Sequence, residues 1–218
     1  MNILFIGNSY TYFNDLEKLF EGLCRENGQN VTAYRVAKGG RRLDAYMDPE
    51  DPTTQQLEAM LRERHYDVCF LQEQSLLPAT DYAAFLAGAT HVKRMVGKQA
   101  DKFLLYATWA RKLGSPDLEA HGWTREQMTE LLHSSYCKAG LALDAAVSPV
   151  GVNFWKVACA HPDMELHHTD LTHPSYLGSC LSALTHYHTL FGQFPEKNGS
   201  LALTELQLNA FRNAVIGG

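Results

Sequence analysis

The sequence predicts a three-layer α/β/α fold on a parallel five-stranded sheet, and three features point to it. Short apolar runs alternate with amphipathic stretches along all 218 residues, as strands and helices do in a doubly covered parallel sheet. The runs at residues 3–6 and 103–106 are continuously apolar, the pattern of strands buried on both faces. Glycine, proline and asparagine punctuate the changes of period.

Taken in order, residues 2–7 read as the first strand and residues 16–23 as a helix that Asn27 and Gly28 end. Residues 31–36 form the second strand, and a Pro-marked stretch around Pro49 and Pro52 leads into a helix at 54–64. Strand three is expected at 67–71, a helix at 81–96, strand four at 102–108 and a further helix at 125–139. A fifth strand is placed at 143–147. Pro149 opens a helix through Ala158, Pro174 opens another to about Leu190, and a tail helix runs from Thr204 to the terminal glycine pair. One domain over residues 1–218 is expected, flavodoxin-like in its layering, with neither repeats nor a linker.

Composition narrows the function. Hydrophobic residues make up 45% and charged residues 20%, enough apolar material for a core with helices on both faces. The formal charge is -5 with the basic residues scattered, so nucleic acid is not an expected partner. The apolar runs are far shorter than the roughly 20 residues a membrane span needs, so no membrane partner is expected either. Five cysteines form no CxxC pair, four of them lie in apolar patterns, and reduced core thiols are the expectation. The first strand follows Met1 with no leader-like segment, which predicts a cytoplasmic protein.

In open parallel sheets ligands sit beyond the carboxyl ends of the strands. Those loops here hold Gly7-Asn8-Ser9, Gly39-Gly40, Gln72-Glu73-Gln74-Ser75 and Thr108-Trp109, and a fifth segment, Asp170-Leu171-Thr172-His173-Pro174, precedes a late helix. Ser9 stands between a strand end and a helix start, where free backbone N–H groups favour developing negative charge. A serine hydroxyl needs a base to take its proton, and His173 is the best placed. Asp170, three residues earlier, can accept the Nδ1–H of that histidine and leave Nε2 as the base. Pro174 is expected to start a helix and so hold His173 near its N-cap. Trp109 is expected as an apolar wall or a stacking face for substrate, with Tyr10 and Arg41 flanking the same mouth.

In order and spacing across nearly the whole chain, these blocks resemble the SGNH (GDSL-like) hydrolase family, in the subgroup whose first block reads ILFIGNSYT. The resemblance implies the same triad, Ser9, Asp170 and His173. It also implies an oxyanion hole from the backbone N–H groups of Ser9 and Gly40 and a side-chain amide in the third block. The matching amide is Gln74, with Gln72 the second choice, because the family's Gly-x-Asn-Asp is replaced here by Gln72-Glu73-Gln74-Ser75. Asn8 stands where the first block usually has aspartate, removing a charge while keeping hydrogen-bonding capacity.

The expected activity is hydrolysis of small acyl esters, acetyl above all, on small molecules or carbohydrates through an acyl-Ser9 intermediate, with no cofactor; the sequence says nothing of the oligomeric state. Two other classes compete: a flavodoxin-like module holding a flavin phosphate at Ser9 and Thr11, and a non-catalytic glycan-binding relative. Neither G-x-G-x-x-G nor a P-loop occurs, which weakens nucleotide binding, and G-x-S-x-G is absent too. Ten histidines invite a metal, but His186 and His188 are spaced for different helix faces, and no metal site is expected. His167 and His168 adjoin the triad segment and have a supporting or substrate role open to them.

Overall fold

The computed structural model describes residues 1–217. In chain order its elements are β1 (Asn2–Gly7), α1 (Ser9–Tyr12), α2 (Leu16–Glu26), β2 (Thr32–Ala37), α3 (Pro52–Glu63), β3 (Tyr66–Leu71), α4 (Leu77–Thr80), α5 (Tyr82–Val96), β4 (Ala100–Tyr106), α6 (Pro116–His121), α7 (Arg125–Leu143), β5 (Ala146–Ser148), α8 (Val150–Ala160), α9 (Tyr176–Phe191) and α10 (Glu205–Ile216). All strand pairs are parallel and the order is β2-β1-β3-β4-β5. Alternate residues of each strand feed opposite faces, as the period of two requires. Ile3, Phe5, Val68, Phe70, Leu104 and Tyr106 pack with α2, α8, α9 and α10. Leu4, Ile6, Cys69, Leu71 and Leu105 pack with α3, α5 and α7 on the other face. The predicted α/β/α layering with a five-stranded parallel sheet is what the chain adopts.

Several details differ from expectation. The residues 9–12 form a one-turn helix, and Asn14 and Asp15, both at positive φ, turn the chain before α2 starts. Helix α7 continues to Leu143, where Asp144 ends it in the left-handed region (φ 46°); the fifth strand therefore starts at Ala146 rather than 143. Short helices α4 and α6 lay outside the expected elements, being too brief to carry a period. Helix α9 starts at Tyr176 with Ser175 as its N-cap. Pro174 instead pairs with His167 in an antiparallel bridge, so His173 is not at a helix start. Among the cysteines, Cys24, Cys69 and Cys180 are buried, Cys137 is half-buried and Cys159 is exposed, all as free thiols. The tail helix ends at Ile216; Gly218 of the expected terminal pair lies outside the described residues. Among those residues, no helix is long and apolar enough to cross a membrane.

The strand order reverses direction at β1, with β2 on one side and β3 on the other. Connections leave this point in opposite senses and open a crevice at the carboxyl ends of the strands. Ser9 follows β1, Gly40 lies beyond β2 and Gln74 beyond β3, so the fold brings these three segments to one rim.

Candidate active site

The loop after β1 is tied down from three sides. The Asn8 side-chain oxygen accepts from Tyr10 N–H (3.1 Å), its amide donates to the carbonyl of Arg41 (3.0 Å), and its own N–H donates to Gln72 Oε1 (2.9 Å). A carboxylate at position 8 could cap Tyr10 but could not donate to the Arg41 carbonyl. The asparagine therefore fastens the β1 loop to the loop after β2. Gly7 is required for the same approach, since a Cβ there would lie 2.3 Å from Thr11 Oγ1 and 2.5 Å from Gln72 Oε1.

Ser9, 8% exposed, places its Oγ 2.8 Å from His173 Nε2, and His173 Nδ1 lies 2.7 Å from Asp170 Oδ2. Burial pushes the Asp170 carboxyl up, but hydrogen bonds from the His173 backbone and ring and from Thr172 N–H outweigh it and hold the group at about 2. Near neutral pH Asp170 is thus an acceptor only. It follows that Nδ1 carries the proton and, in the neutral ring, Nε2 accepts from the Ser9 hydroxyl. The Asp170 Oδ1 accepts from Thr172 N–H (2.9 Å) and His173 N–H (2.8 Å). This tight wrap puts Leu171 at φ 65°, a left-handed conformation costly for a branched side chain. The ring of His173 stacks on Phe13 at 4.2 Å and meets Tyr10 edge-on. Packing and the bridge at Pro174, rather than a helix N-cap, orient the base.

The other predicted residues separate into two groups. Gly40 (φ 66°) sits in the Lys38–Arg41 turn, a backbone position glycine takes without strain. Gln74 Oε1 accepts from Leu76 and Leu77 N–H (2.9 and 3.0 Å), which leaves its amide nitrogen as the free end. Both line a cavity of about 330 Å³ with Ser9, Tyr12, Phe13 and His173. Among the described residues, the N–H groups of Ser9 and Gly40 and the Gln74 amide nitrogen donate to no protein acceptor. Tyr10 also lines this cavity. A larger cleft of about 460 Å³ beside Asp101, Leu104, Asp144 and Thr189 includes neither Ser9 nor His173.

Gln72, Trp109 and Arg41 do not fit the positions expected of them. Gln72 is buried, its Oε1 taken by Asn8 N–H and Thr11 Oγ1 and one of its amide N–H groups by the Glu73 carbonyl; it braces the nucleophile loop and is not among the residues that line the cavity. Thr11, also buried, donates its hydroxyl to Gln72 Oε1 at 2.8 Å. Trp109 is 0% exposed, sandwiched between Tyr10 (4.4 Å) and Phe154 (4.2 Å), with its Nε1–H on the Thr172 carbonyl. It is a core residue that supports the triad segment from below. Arg41 is 7% exposed and points away, to Asp51 (2.9 Å), Thr54 (3.1 Å) and the face of Tyr46, where it pins the loop after β2 to α3. The hydrogen bond from Arg41, opposed by burial and joined by the α3 N–H groups, holds Asp51 at about 2.

Three residues of the site were not anticipated. Glu73, 0% exposed, accepts from Leu43 N–H (3.0 Å) and Gln74 N–H (2.6 Å), joining the segments that carry Gly40 and Gln74. Its burial outweighs those donors and raises the carboxyl to about 7. Ser75 and Arg111 complete one wall of the cavity; a lone arginine two residues after a strand-end tryptophan was the only available signal. His167 is buried, held to about 4 by burial, and contacts the Ala110 carbonyl at 3.0 Å, so it supports the Arg111 loop. His168 is exposed and lies 3.4 Å from Asp170. Among the described residues, no group of three or more His, Cys, Asp or Glu side chains is placed to hold a metal.

Fold and site together define an α/β/α protein that carries a serine, an imidazole and a carboxylate in series at the switch point of a parallel sheet. The structure is similar to a protein of Slackia heliotrinireducens described as an SGNH hydrolase, with 26% identity and a TM-score of 0.76, over 87% of this chain and 98% of that one. It is also similar to a DUF4886 family protein from Bacteroides uniformis (15% identity, TM-score 0.77, 100% and 95% of the chains). An acetyl-xylooligosaccharide esterase from Geobacillus shares the fold at 11% identity (TM-score 0.63, 90% and 96%). No family model and no curated protein matches the sequence. In fold and in the order of its elements the chain is similar to SGNH (GDSL-like) hydrolases.

Proposed function

We propose that this chain is a serine esterase of the Gly-Asn-Ser subgroup, cleaving small acyl esters, acetyl above all, on small molecules or carbohydrates. The observation that carries this reading is the hydrogen-bonded series from Ser9 Oγ to His173 Nε2 (2.8 Å) and from His173 Nδ1 to Asp170 (2.7 Å). Nucleophile, base and orienting carboxylate are each within reach of the next, as proton transfer needs. The likeness in fold to an acetyl-xylooligosaccharide esterase and an acetyl xylan esterase supports the choice of acyl group.

In the reaction, His173 Nε2 takes the Ser9 proton as Oγ attacks the ester carbonyl. The carbonyl oxygen becomes an oxyanion facing the N–H groups of Ser9 and Gly40 and the Gln74 amide. The protonated imidazole, stabilised by ionised Asp170, returns its proton to the departing alkoxide. Water, deprotonated by the same nitrogen, then releases the acid and restores Ser9. Donors aimed at the developing charge account for a large part of such catalysis, with the loss of one costing roughly 10²–10³ in kcat.

Turnover of p-nitrophenyl acetate tests the reading. Ser9→Ala and His173→Ala should each lower kcat/KM by at least about 10³ while leaving the circular dichroism spectrum unchanged. Full activity in either variant would refute the assignment.

A further inference from the structure

Resting on the serine-esterase reading, we infer that the preferred ester carries a carboxylate, held by the terminal nitrogens of Arg111 in the corner that Tyr10 and Ser75 complete. Arg111 lies on the loop after β4, only 3% exposed, yet it lines the cavity that holds Ser9 and His173. An arginine so enclosed should have its donors matched. Three of its five N–H groups are matched: Nε–H donates to Asp117 at 2.6 Å. Terminal nitrogen Nη1 donates to the Tyr10 hydroxyl and Nη2 to Ser75 Oγ at 2.9 Å, which leaves one N–H on each terminal nitrogen without a protein acceptor.

The neighbours add donors rather than acceptors. Tyr10 and Ser75 already accept from Arg111, and their hydroxyls neighbour one another, so the pair keeps at least one hydroxyl proton to offer the cavity. Burial, opposed by Arg111, pushes the Tyr10 phenol up to about 12, so it keeps its proton at neutral pH. The Gln74 oxygen is taken by Leu76 and Leu77, so that side chain also presents N–H to the cavity. A wall made of donors suits a group that only accepts. A sugar hydroxyl brings a donor of its own, whereas a carboxylate accepts at two oxygens and matches the forked end of a guanidinium. Two carboxylates neighbour this corner and neither blocks it: Asp117 occupies the Nε edge, and Asp170 is bound to His173.

The carboxylate could sit on the acyl or on the alcohol side of the ester, and two matched pairs separate these. On the acyl side, p-nitrophenyl hemisuccinate is compared with its methyl-capped ester; on the alcohol side, an O-acetylated uronic acid with its methyl ester. The wild-type protein should favour the anionic member of one pair by about tenfold or more in kcat/KM, the scale of a charge-assisted contact. Free succinate should compete with p-nitrophenyl acetate. The preference should shrink towards unity in Arg111→Met and fall partway in Ser75→Ala. Equal or reversed preference in both pairs of the wild-type protein overturns the inference whether or not the variants fold. Absence of any wild-type turnover of p-nitrophenyl acetate would overturn the esterase reading and this inference with it, whereas acetate turnover without charge preference overturns the inference alone.

Discussion

Replacing Glu73 with glutamine should change how the stability of the protein depends on pH. The carboxyl is wholly buried and raised from 4.5 to about 7, because burial outweighs the N–H groups of Gln74 and Leu43. The folded protein therefore favours the acid form. Its contribution is complete below about pH 4.5 and is lost as pH rises through about 7. At about 1.4 kcal/mol per unit, the shift corresponds to a loss of about 3 kcal/mol across that window. Glutamine has nearly the same shape and does not titrate. Urea unfolding at pH 5 and pH 8 should then show the wild-type protein losing about 2–3 kcal/mol more than Glu73→Gln between the two. Parallel pH dependence in the two proteins, or a relative gain for the wild type at pH 8, would refute the claim that this side chain is held against ionisation.

Two further substitutions probe the scaffold of the site. Asn8→Asp removes the donor to the Arg41 carbonyl, leaving a buried acceptor unmatched, and should cost about 1–3 kcal/mol; an unchanged melting temperature would contradict the bracing role. Gly151→Ala would bring a Cβ to 2.1 Å from the Thr108 carbonyl oxygen, so the start of α8 must shift and about 1–3 kcal/mol should be lost in chemical denaturation. Tolerance of alanine there would mean that α8 does not need its close contact with the end of β4.

The reach of the sequence follows from which features are local. Strands such as 2–7 and 66–71 are apolar on both faces, a pattern that survives without tertiary context. Ser9, Asp170 and His173 were also legible, because Asp170 and His173 meet within one short turn and the β1 loop can end in few ways. Side-chain direction just past a strand end is another matter. It depends on the path of the loop, and so Trp109 went into the core and Arg41 towards α3 rather than to the mouth. Gln72 and Gln74 have the same chemistry and differ only in which of their atoms are already bonded. That difference is set by Asn8 and Thr11 for one and by the backbone of α4 for the other. The donor corner at Arg111 needed Tyr10 and Ser75, which come from distant parts of the chain, as well as the nearby Asp117. Asparagine at position 8 became intelligible only once the Arg41 carbonyl was seen opposite it.

The central claim, that His173 activates the hydroxyl of Ser9, is tested most directly by treating the folded protein with a fluorophosphonate and measuring intact mass, followed by peptide mapping. One adduct per chain is predicted, located on Ser9 and lost in His173→Ala and in Ser9→Ala. An unlabelled wild-type protein, or an adduct on another residue, would contradict it.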